Sequence, residues 1–189
     1  MFTLQRIVHD IEITGFHSIY YFEFGKDFTH SPEKHSFWEM VYVDSGEIIA
    51  ITDGIGTALK QGAIIFHEPG EVHAHISNRE IPNNMLVVSF SCDSPAMRFF
   101  RKKTFTADKT ARNLLTLFIG EAQKALGTVP SQYTDTSDLD FSKADFGAVG
   151  LMGCYLTELF IHFIRLGAER LGTSRLVKLA KQLKEGSEA

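Results

Sequence analysis

The chain has 189 residues, of which 44% are hydrophobic and 22% charged, the composition of one globular domain able to bury a sizeable core. Its formal net charge of −4 gives no support for nucleic-acid binding through a basic surface. The two cysteines, Cys92 and Cys154, are far apart and lack the spacing of a zinc ribbon or a disulfide framework, which favours a reducing cytoplasm.

Neither a signal peptide nor a membrane span is expected. The N-terminal stretch MFTLQRIVHDIEI carries charges throughout and contains no long apolar run. The most apolar segment, residues 147–167, includes Glu158, His162 and Arg165, which favours a buried helix over a transmembrane one. We therefore expect a cytoplasmic protein without membrane contact.

The chain up to Lys103 has the pattern of an all-β sandwich or barrel. Short runs of alternating apolar residues are separated by Gly, Asp and Pro at regular intervals. The predicted strands are 4–13, 16–24, 36–44, 47–52, 56–59, 63–66, 72–77 and 84–91. The stretches DSGE (44–47) and DGIG (53–56) indicate hairpin turns between neighbouring strands.

Beyond Lys103 the apolar period becomes helical. A first helix is predicted from a cap near Thr106 and Asp108 to Gly127. Its predicted apolar face consists of Leu114, Leu117, Phe118 and Ala122. A polar loop follows over 128–145, and a second helix is predicted at about 147–167, apolar on nearly all sides. The last residues, 171–189, are predicted to contain a short basic amphipathic helix.

The stretch EKHSFWEMVYVDSGE, residues 33–47, places a histidine and an acid four residues apart on a predicted strand. Because residues of like parity share one face of a strand, His35, Phe37 and Glu39 point to one side. By the same rule His73 and His75 share a face of the predicted strand 72–77. If both faces look into a barrel, two imidazoles and a carboxylate converge there, a donor set that suits Fe(II), Zn, Ni or Mn.

Further residues are expected around this group. Tyr20 and Phe22 share parity with Phe16 and Phe24 and are predicted to line the same pocket. His67 is predicted to be a loop residue at the barrel rim. The predicted ligand-binding residues are therefore Tyr20, Phe22, His35, Phe37, Glu39, His73 and His75. No nucleophile elbow, phosphate-binding loop or dinucleotide-binding glycine motif is present, so no catalytic residue is predicted.

The same residues resemble the two-part motif of the cupin superfamily, H-x-H-x3-E-x6-G followed by G-x5-P-x-G-x2-H-x3-N. The matching positions are His35, Glu39 and Gly46 in the first part and Gly62, Gly70 and His73 in the second. Glu33 stands where the first histidine is expected. The resemblance implies a mainly β fold, a cupin (double-stranded β-helix, or jelly-roll) barrel followed by two to three helices. It places His35, Glu39 and His73 at metal-ligand positions, with Glu33 as a substitute for the fourth ligand.

A wider resemblance is to the regulatory half of AraC-type bacterial transcription regulators. It is carried by FWEMVYVDSGE, LKQGAIIFHEPGEVHAHI and NMLVVSFSCDSPAMRFF, followed by two helices. In that family the barrel binds a small effector, the helices pair two subunits, and a separate C-terminal domain with two helix-turn-helix motifs contacts DNA. That last domain is not found in this chain, and the basic segment 171–189 lies where it would begin.

These observations predict an effector-sensing and dimerisation region of an AraC-type regulator that binds a small molecule, such as a sugar, inside the barrel. The expected organisation is a barrel at 1–103, a helical dimerisation region at 104–170 and the basic helix at 171–189. Two alternatives stay open. One is a metal-dependent cupin enzyme, an isomerase or a dioxygenase, and the other is a stand-alone binding module without catalysis.

Overall fold

The computed structural model describes residues 3–127 and 139–170, without the side chains of 168–170. The strands are β1 (Gly15–Phe24), β2 (Trp38–Ser45), β3 (Glu47–Thr52), β4 (Ile55–Lys60), β5 (Ala63–His67), β6 (His73–Ser77), β7 (Asn83–Ser91) and β8 (Thr104–Thr106). A 3-10 helix, Pro95–Phe100, follows β7, and the two long helices are α1 (Lys109–Leu126) and α2 (Ala148–Arg170). The chain is thus mainly β with helices after the last long strand, as predicted.

The strands form two antiparallel sheets, in the orders β1-β7-β2-β5-β8 and β4-β3-β6. Residues 28–33 add an irregular edge to the smaller sheet, because Thr29 bridges Ile76 and Glu33 bridges His73 across β6. When residues 28–33 are counted as the second strand in chain order, the strands of the larger sheet lie in the order 1-8-3-6, with β8 as an extra strand at its edge. The strands of the smaller sheet then lie in the order 5-4-7-2. That order is a jelly roll, as a cupin barrel requires.

Side chains on β2 alternate between two apolar layers. Val41 and Val43 belong to a cluster between the two sheets, together with Ile48 and Met85. Met40 and its even-numbered neighbours lie on the other face, where they pack against the helices. This confirms the predicted parity, and it means that the larger sheet is buried on both faces.

The helices cover the outer face of the larger sheet. The Asp108 side chain caps α1 by accepting a hydrogen bond from the Ala111 N–H, whereas Thr106 belongs to β8. The helix ends at Gly127, whose φ of 67° is left-handed. The prediction that Leu117 lies on the buried face is wrong, since it is 48% exposed. The buried stripe instead consists of Ala111, Leu114, Leu115, Phe118, Ala122 and Ala125.

Helix α2 is long and apolar enough over Ala148–Gly167 to cross a membrane by length and composition alone. In this structure one face of it is buried in the core: Phe160 packs on Phe66, Phe90 and Phe100, with ring centroids 5.2–5.3 Å apart. The opposite face is more open, and Leu151 is 40% exposed there. The helix is therefore buried along one face and open along the other.

The predicted strand at 4–13 is wrong. Residues 3–14 form no strand, and Leu4, Ile7 and Val8 are about four-fifths exposed, although Ile11 is buried. Alternating apolar residues form a strand only where they pair with a sheet edge, and residues 3–14 form no ladder with the outer edge of β1, whose one strand partner is β7. The predicted basic helix at 171–189 lies outside the described residues, as does most of the predicted loop.

Gly46, the first glycine of the motif, is required by its surroundings. It has a φ of +77°, and a Cβ atom there would lie 2.2 Å from the Pro82 carbonyl oxygen. We expect Gly46→Ala to lower the free energy of unfolding by about 3 kcal/mol, from left-handed strain and the clash together. Gly54→Ala is the matched control, because Gly54 has a φ of +82° with no atom within 4 Å, and should cost only about 1 kcal/mol. Urea unfolding measures both, and equal losses would contradict the role of the Pro82 contact.

Candidate metal and ligand site

A cavity of about 500 Å³ lies between the two sheets. Its lining residues are Ser18, Tyr20, Phe22, Phe24, Phe28, His30, Glu33, His35, Phe37, Glu39, His75, Met85, Val87 and Ser89. Six of the seven predicted ligand residues are among them. The seventh, His73, is buried and lies in contact with Glu39.

Four of the cavity-side groups converge. Glu39 comes from β2, His73 from β6, and His35 and Glu33 from the segment that precedes β2. The His73 Nε2 atom is 3.4 Å from Glu39 Oε1 and 3.5 Å from Glu33 Oε1. The His35 Nε2 atom is 3.7 Å from Glu39 Oε2. One ligand atom from each of the four residues lies within 4.8 Å of all the others.

Three buried atoms of this group have no hydrogen-bond partner among the described residues: His35 Nε2, Glu39 Oε1 and His73 Nε2. Buried polar atoms in native proteins are nearly always paired, so this convergence calls for a missing binding partner. Nitrogen and oxygen ligands about 2.1 Å from one metal ion are themselves about 3.0–3.4 Å apart, close to the separations seen here. The residues therefore fit a divalent transition metal ion.

The second nitrogen of each imidazole supports the same interpretation. His35 Nδ1 lies 2.9 Å from the Phe37 carbonyl oxygen, and His73 Nδ1 lies 3.2 Å from the Glu71 carbonyl oxygen. A carbonyl oxygen can only accept, so each Nδ1 carries the proton and donates it. In the neutral imidazoles the Nε2 lone pairs then face Glu39, which is the tautomer that a metal-binding histidine needs.

In the absence of a metal ion, electrostatic attraction between the carboxylates and the imidazoles holds these four side chains together. Burial opposes ionisation of Glu39, but the attraction of the neighbouring His35 and His73 imidazoles outweighs it and holds the pKa of this carboxyl well below its usual range. Burial likewise lowers the pKa of His73, but Glu33 and Glu39 outweigh it and raise the pKa to about 10. The nearby His73 imidazole in turn lowers the pKa of Glu33. Ser89 adds a donor, with its hydroxyl 3.2 Å from Glu39 Oε2.

A second buried chain of polar groups lies beside the first. The His67 Nδ1–H donates to Glu71 Oε1 over 2.6 Å, and His67 Nε2 is 3.0 Å from His75 Nε2. Burial lowers the pKa of His75 to about 3. The prediction that His67 is a rim residue is wrong, since it ends β5 and is fully buried, stacked 4.1 Å from His73. Parity with the inward-facing Ile65 would have revealed this, had the predicted strand been one residue longer.

The aromatic residues of β1 are placed as predicted with one exception. Tyr20, Phe22 and Phe24 line the cavity, but Phe16 faces the helices, 5.9 Å from Phe118. The register of β1 against β7 shifts between Phe16 and Ser18, and this bulge reverses the face of every residue before it. Phe24, Phe28 and Met85 also line the cavity, although they were not predicted to bind ligand.

The strands arrange the cavity wall in registered rows. Ser18 and Glu39 both pair with Ser89, which makes one polar row. Tyr20 and Val41 pair with Val87 in the next row, and Phe22 and Val43 pair with Met85 in the third. The wall therefore changes from polar to apolar along the strand direction, with the candidate metal-binding group at the polar end.

No protein-family model matches the chain, and no curated protein is similar to it. Among solved structures, it is similar to a predicted oxalate decarboxylase from Thermotoga maritima, with 20% identity over 39% of this chain and 64% of that chain and a TM-score of 0.37. It is also similar to a cupin superfamily protein from Desulfitobacterium hafniense, with 17% identity over 38% and 63% of the two chains and a TM-score of 0.35. KdgF from Halomonas sp. has 16% identity over 35% and 62%, with a TM-score of 0.33.

The matched region spans a little under two thirds of the length of each of these three structures and less than half of this chain. At these identities and TM-scores the similarity carries no argument about function. The assignment of a cupin-type jelly roll rests instead on the strand order of the chain itself.

The raised pKa of His73 predicts how the stability of the metal-free protein depends on pH. A histidine whose pKa is raised on folding stabilises fully below its unfolded pKa of about 6.5, and that contribution is lost as the pH rises towards 10. We expect the stability advantage of the wild type over His73→Gln to shrink by roughly 2 kcal/mol or more between pH 6.5 and 10.

Urea unfolding with a chelator present measures this difference. His75 contributes little to this difference, because its folded pKa of about 3 and its usual value of 6.5 both lie at or below the start of this pH range. An advantage that stays constant or grows with pH would contradict a protonated His73 between the two carboxylates.

Proposed function

We propose that this chain is a small-molecule-binding cupin in which His35, Glu39 and His73 hold a divalent transition metal ion at the polar end of the cavity. The single observation that carries this proposal is the convergence of three buried ligand atoms that have no hydrogen-bond partner. Glu33 is the fourth ligand. Zn, Ni, Fe and Mn all suit two imidazoles with carboxylates.

Each residue has a distinct part in the proposed site. Glu39 supplies the negative charge that is least exposed to solvent, and Ser89 fixes the orientation of its carboxylate. The backbone carbonyls of Phe37 and Glu71 fix the ring orientations of the two histidines. When bound, the ion supplies a Lewis-acidic centre for an oxygen donor of the ligand. The ligand enters from the side of Glu33, whose side chain is 42% exposed.

We further propose that the chain is the effector-sensing and dimerisation region of an AraC-type regulator, with DNA contacted by a domain outside this chain. The sequence resemblance supports this, and so does the position of β2. Glu39 on this strand faces the cavity, and its neighbour Met40 packs in the layer shared with the helices. A ligand that favours one packing of β2 would thereby shift the helices, by an amount set by its differential affinity for the two packings.

A metal-dependent cupin enzyme, an isomerase or a dioxygenase, is the second candidate. One observation favours it: the Glu33 carboxylate lines the cavity and lies 3.5 Å from His73 Nε2, where it can accept a proton from a bound substrate. In an enzyme Glu33→Gln would abolish turnover and leave ligand binding largely intact. In a sensor the same change would alter only affinity.

We predict that the purified protein binds about one divalent transition metal ion per chain. Replacing a ligand should weaken binding by more than about a hundredfold, because loss of even an outer-shell partner costs 10–100-fold. Isothermal titration with Zn²⁺ compares the wild type with His73→Ala and with Glu39→Gln, which has the same shape. His9→Ala is the control for loss of a histidine elsewhere, since His9 is exposed and outside the group. Equal Zn²⁺ affinity for all four proteins would contradict the proposed site.

We predict a homodimer that forms through the helices. The open face of α2 carries the exposed Leu151, and Leu151→Glu should convert the dimer into a monomer by placing a charge in the interface. Ile81→Glu is the control, because Ile81 is similarly exposed but lies in the loop before β7. Sedimentation at high micromolar concentration measures both variants, and a monomeric wild type would contradict the prediction.

A further inference from the structure

The aromatic side chains along β1 form a stacked row. Tyr20 and Phe22 have ring centroids 5.0 Å apart, Phe22 and Phe24 are 4.8 Å apart, and Phe24 and Phe28 are 3.5 Å apart. Their interplanar angles are between 13° and 27°. Every ring in this row lines the cavity.

Stacking determines which part of each ring a ligand can reach. Phe22 lies between Tyr20 and Phe24, and Phe24 lies between Phe22 and Phe28, so neighbouring rings cover both faces of Phe22 and Phe24. Only the ring edges of these two residues are left towards the cavity. The edge of an aromatic ring carries partial positive charge and its face partial negative charge.

Edges and faces select different ligands. A sugar or an ammonium ion presents C–H or N–H groups with partial positive charge, which are attracted to ring faces and not to edges. A planar aromatic ligand presents its own negative face, which makes a favourable edge-to-face contact. The wall formed by Phe22 and Phe24 therefore favours an aromatic ligand over a sugar.

The registered rows set the ligand's polarity and length. The Glu39 row lies four residues along the strands from the Phe22–Met85 row, or roughly 14 Å at about 3.4 Å per residue. A ligand that reaches both rows has an oxygen-bearing head, a short linker and a ring. Met85, opposite Phe22, adds a polarisable thioether on the same floor, which favours aromatic contacts.

We propose that the cavity selects an aryl-substituted carboxylic acid, with its carboxylate at the His35–Glu39–His73 group and its ring against the edges of Phe22 and Phe24. The inference rests on the proposed metal site for the head group. The ring preference is carried by the aromatic row alone.

Two acids that differ only in ring character test the inference. 3-Phenylpropanoate and 3-cyclohexylpropanoate have the same head and linker, and the saturated ring is the more hydrophobic of the two. Isothermal titration of the Zn²⁺-loaded protein should give about fivefold tighter binding of 3-phenylpropanoate, in line with one or two edge-to-face contacts. Equal or tighter binding of the cyclohexyl acid, or binding of D-glucose in preference to either, would overturn the aromatic class. Failure of both acids to bind at millimolar concentration would also overturn it.

Phe22→Leu should remove most of the aromatic preference and retain binding of the cyclohexyl acid. Phe16→Leu is the matched control, because Phe16 lies on the same strand but faces the helices, and it should leave the preference unchanged. Thermal unfolding checks that both variants are folded. If Phe22→Leu is unfolded, Phe24→Leu takes its place.

A second measurement reports the ring position directly. In protein labelled with ¹³C at the methionine methyl groups, 3-phenylpropanoate should shift the Met85 methyl resonance upfield through the ring current, and Met85→Leu identifies the signal. An unshifted Met85 resonance at saturation would overturn the placement of the ring. Zn²⁺ alone is titrated first, so a protein that binds no metal ion refutes the proposed function separately from the ring preference.

Discussion

The carboxylate of Glu39 is buried, and the residues packed around it compensate its charge. The residue is 4% exposed, and a carboxylate in such a place is tolerated only when opposite charge and hydrogen bonds compensate it. The compensating groups come from three other parts of the chain: His35 from the segment before β2, His73 from β6 and Ser89 from β7. Segments far apart in sequence are therefore held together at one point.

The jelly-roll topology explains how these groups meet. Residues 28–33 pair with β6 through backbone hydrogen bonds between Glu33 and His73 in both directions, which places an acid against the histidine of the second motif. The central strand β2 connects the cavity with the helices. Its odd-numbered residues face the space between the sheets, where Glu39 lines the cavity, and its even-numbered residues pack in the layer shared with α1 and α2. A displacement of β2 at Glu39 therefore acts directly on the layer that contains the helices.

Much of this could be predicted from sequence, because parity and motif spacing are local properties. They placed His35, Phe37, Glu39 and His75 correctly on the cavity wall and separated them from Trp38 and Met40. Two of the differences have one cause. The bulge near His17 and the pairing of residues 28–33 depend on non-local backbone pairing, which composition and period do not encode. The burial of His67 instead follows from parity once the strand is extended by one residue. The stacked faces of Phe22 and Phe24 likewise appear only when neighbouring rings are placed together.

X-ray absorption spectroscopy of the Zn²⁺-loaded protein tests the central claim most directly, because it reports the atoms bound to the ion. The account predicts a first shell with two imidazole nitrogens at about 2.0–2.1 Å and oxygen ligands at about 2.0–2.2 Å. Loss of one imidazole contribution in His73→Ala would identify that ligand. A shell with sulfur ligands, or with oxygen ligands alone, would contradict a metal site built from His35, Glu39 and His73.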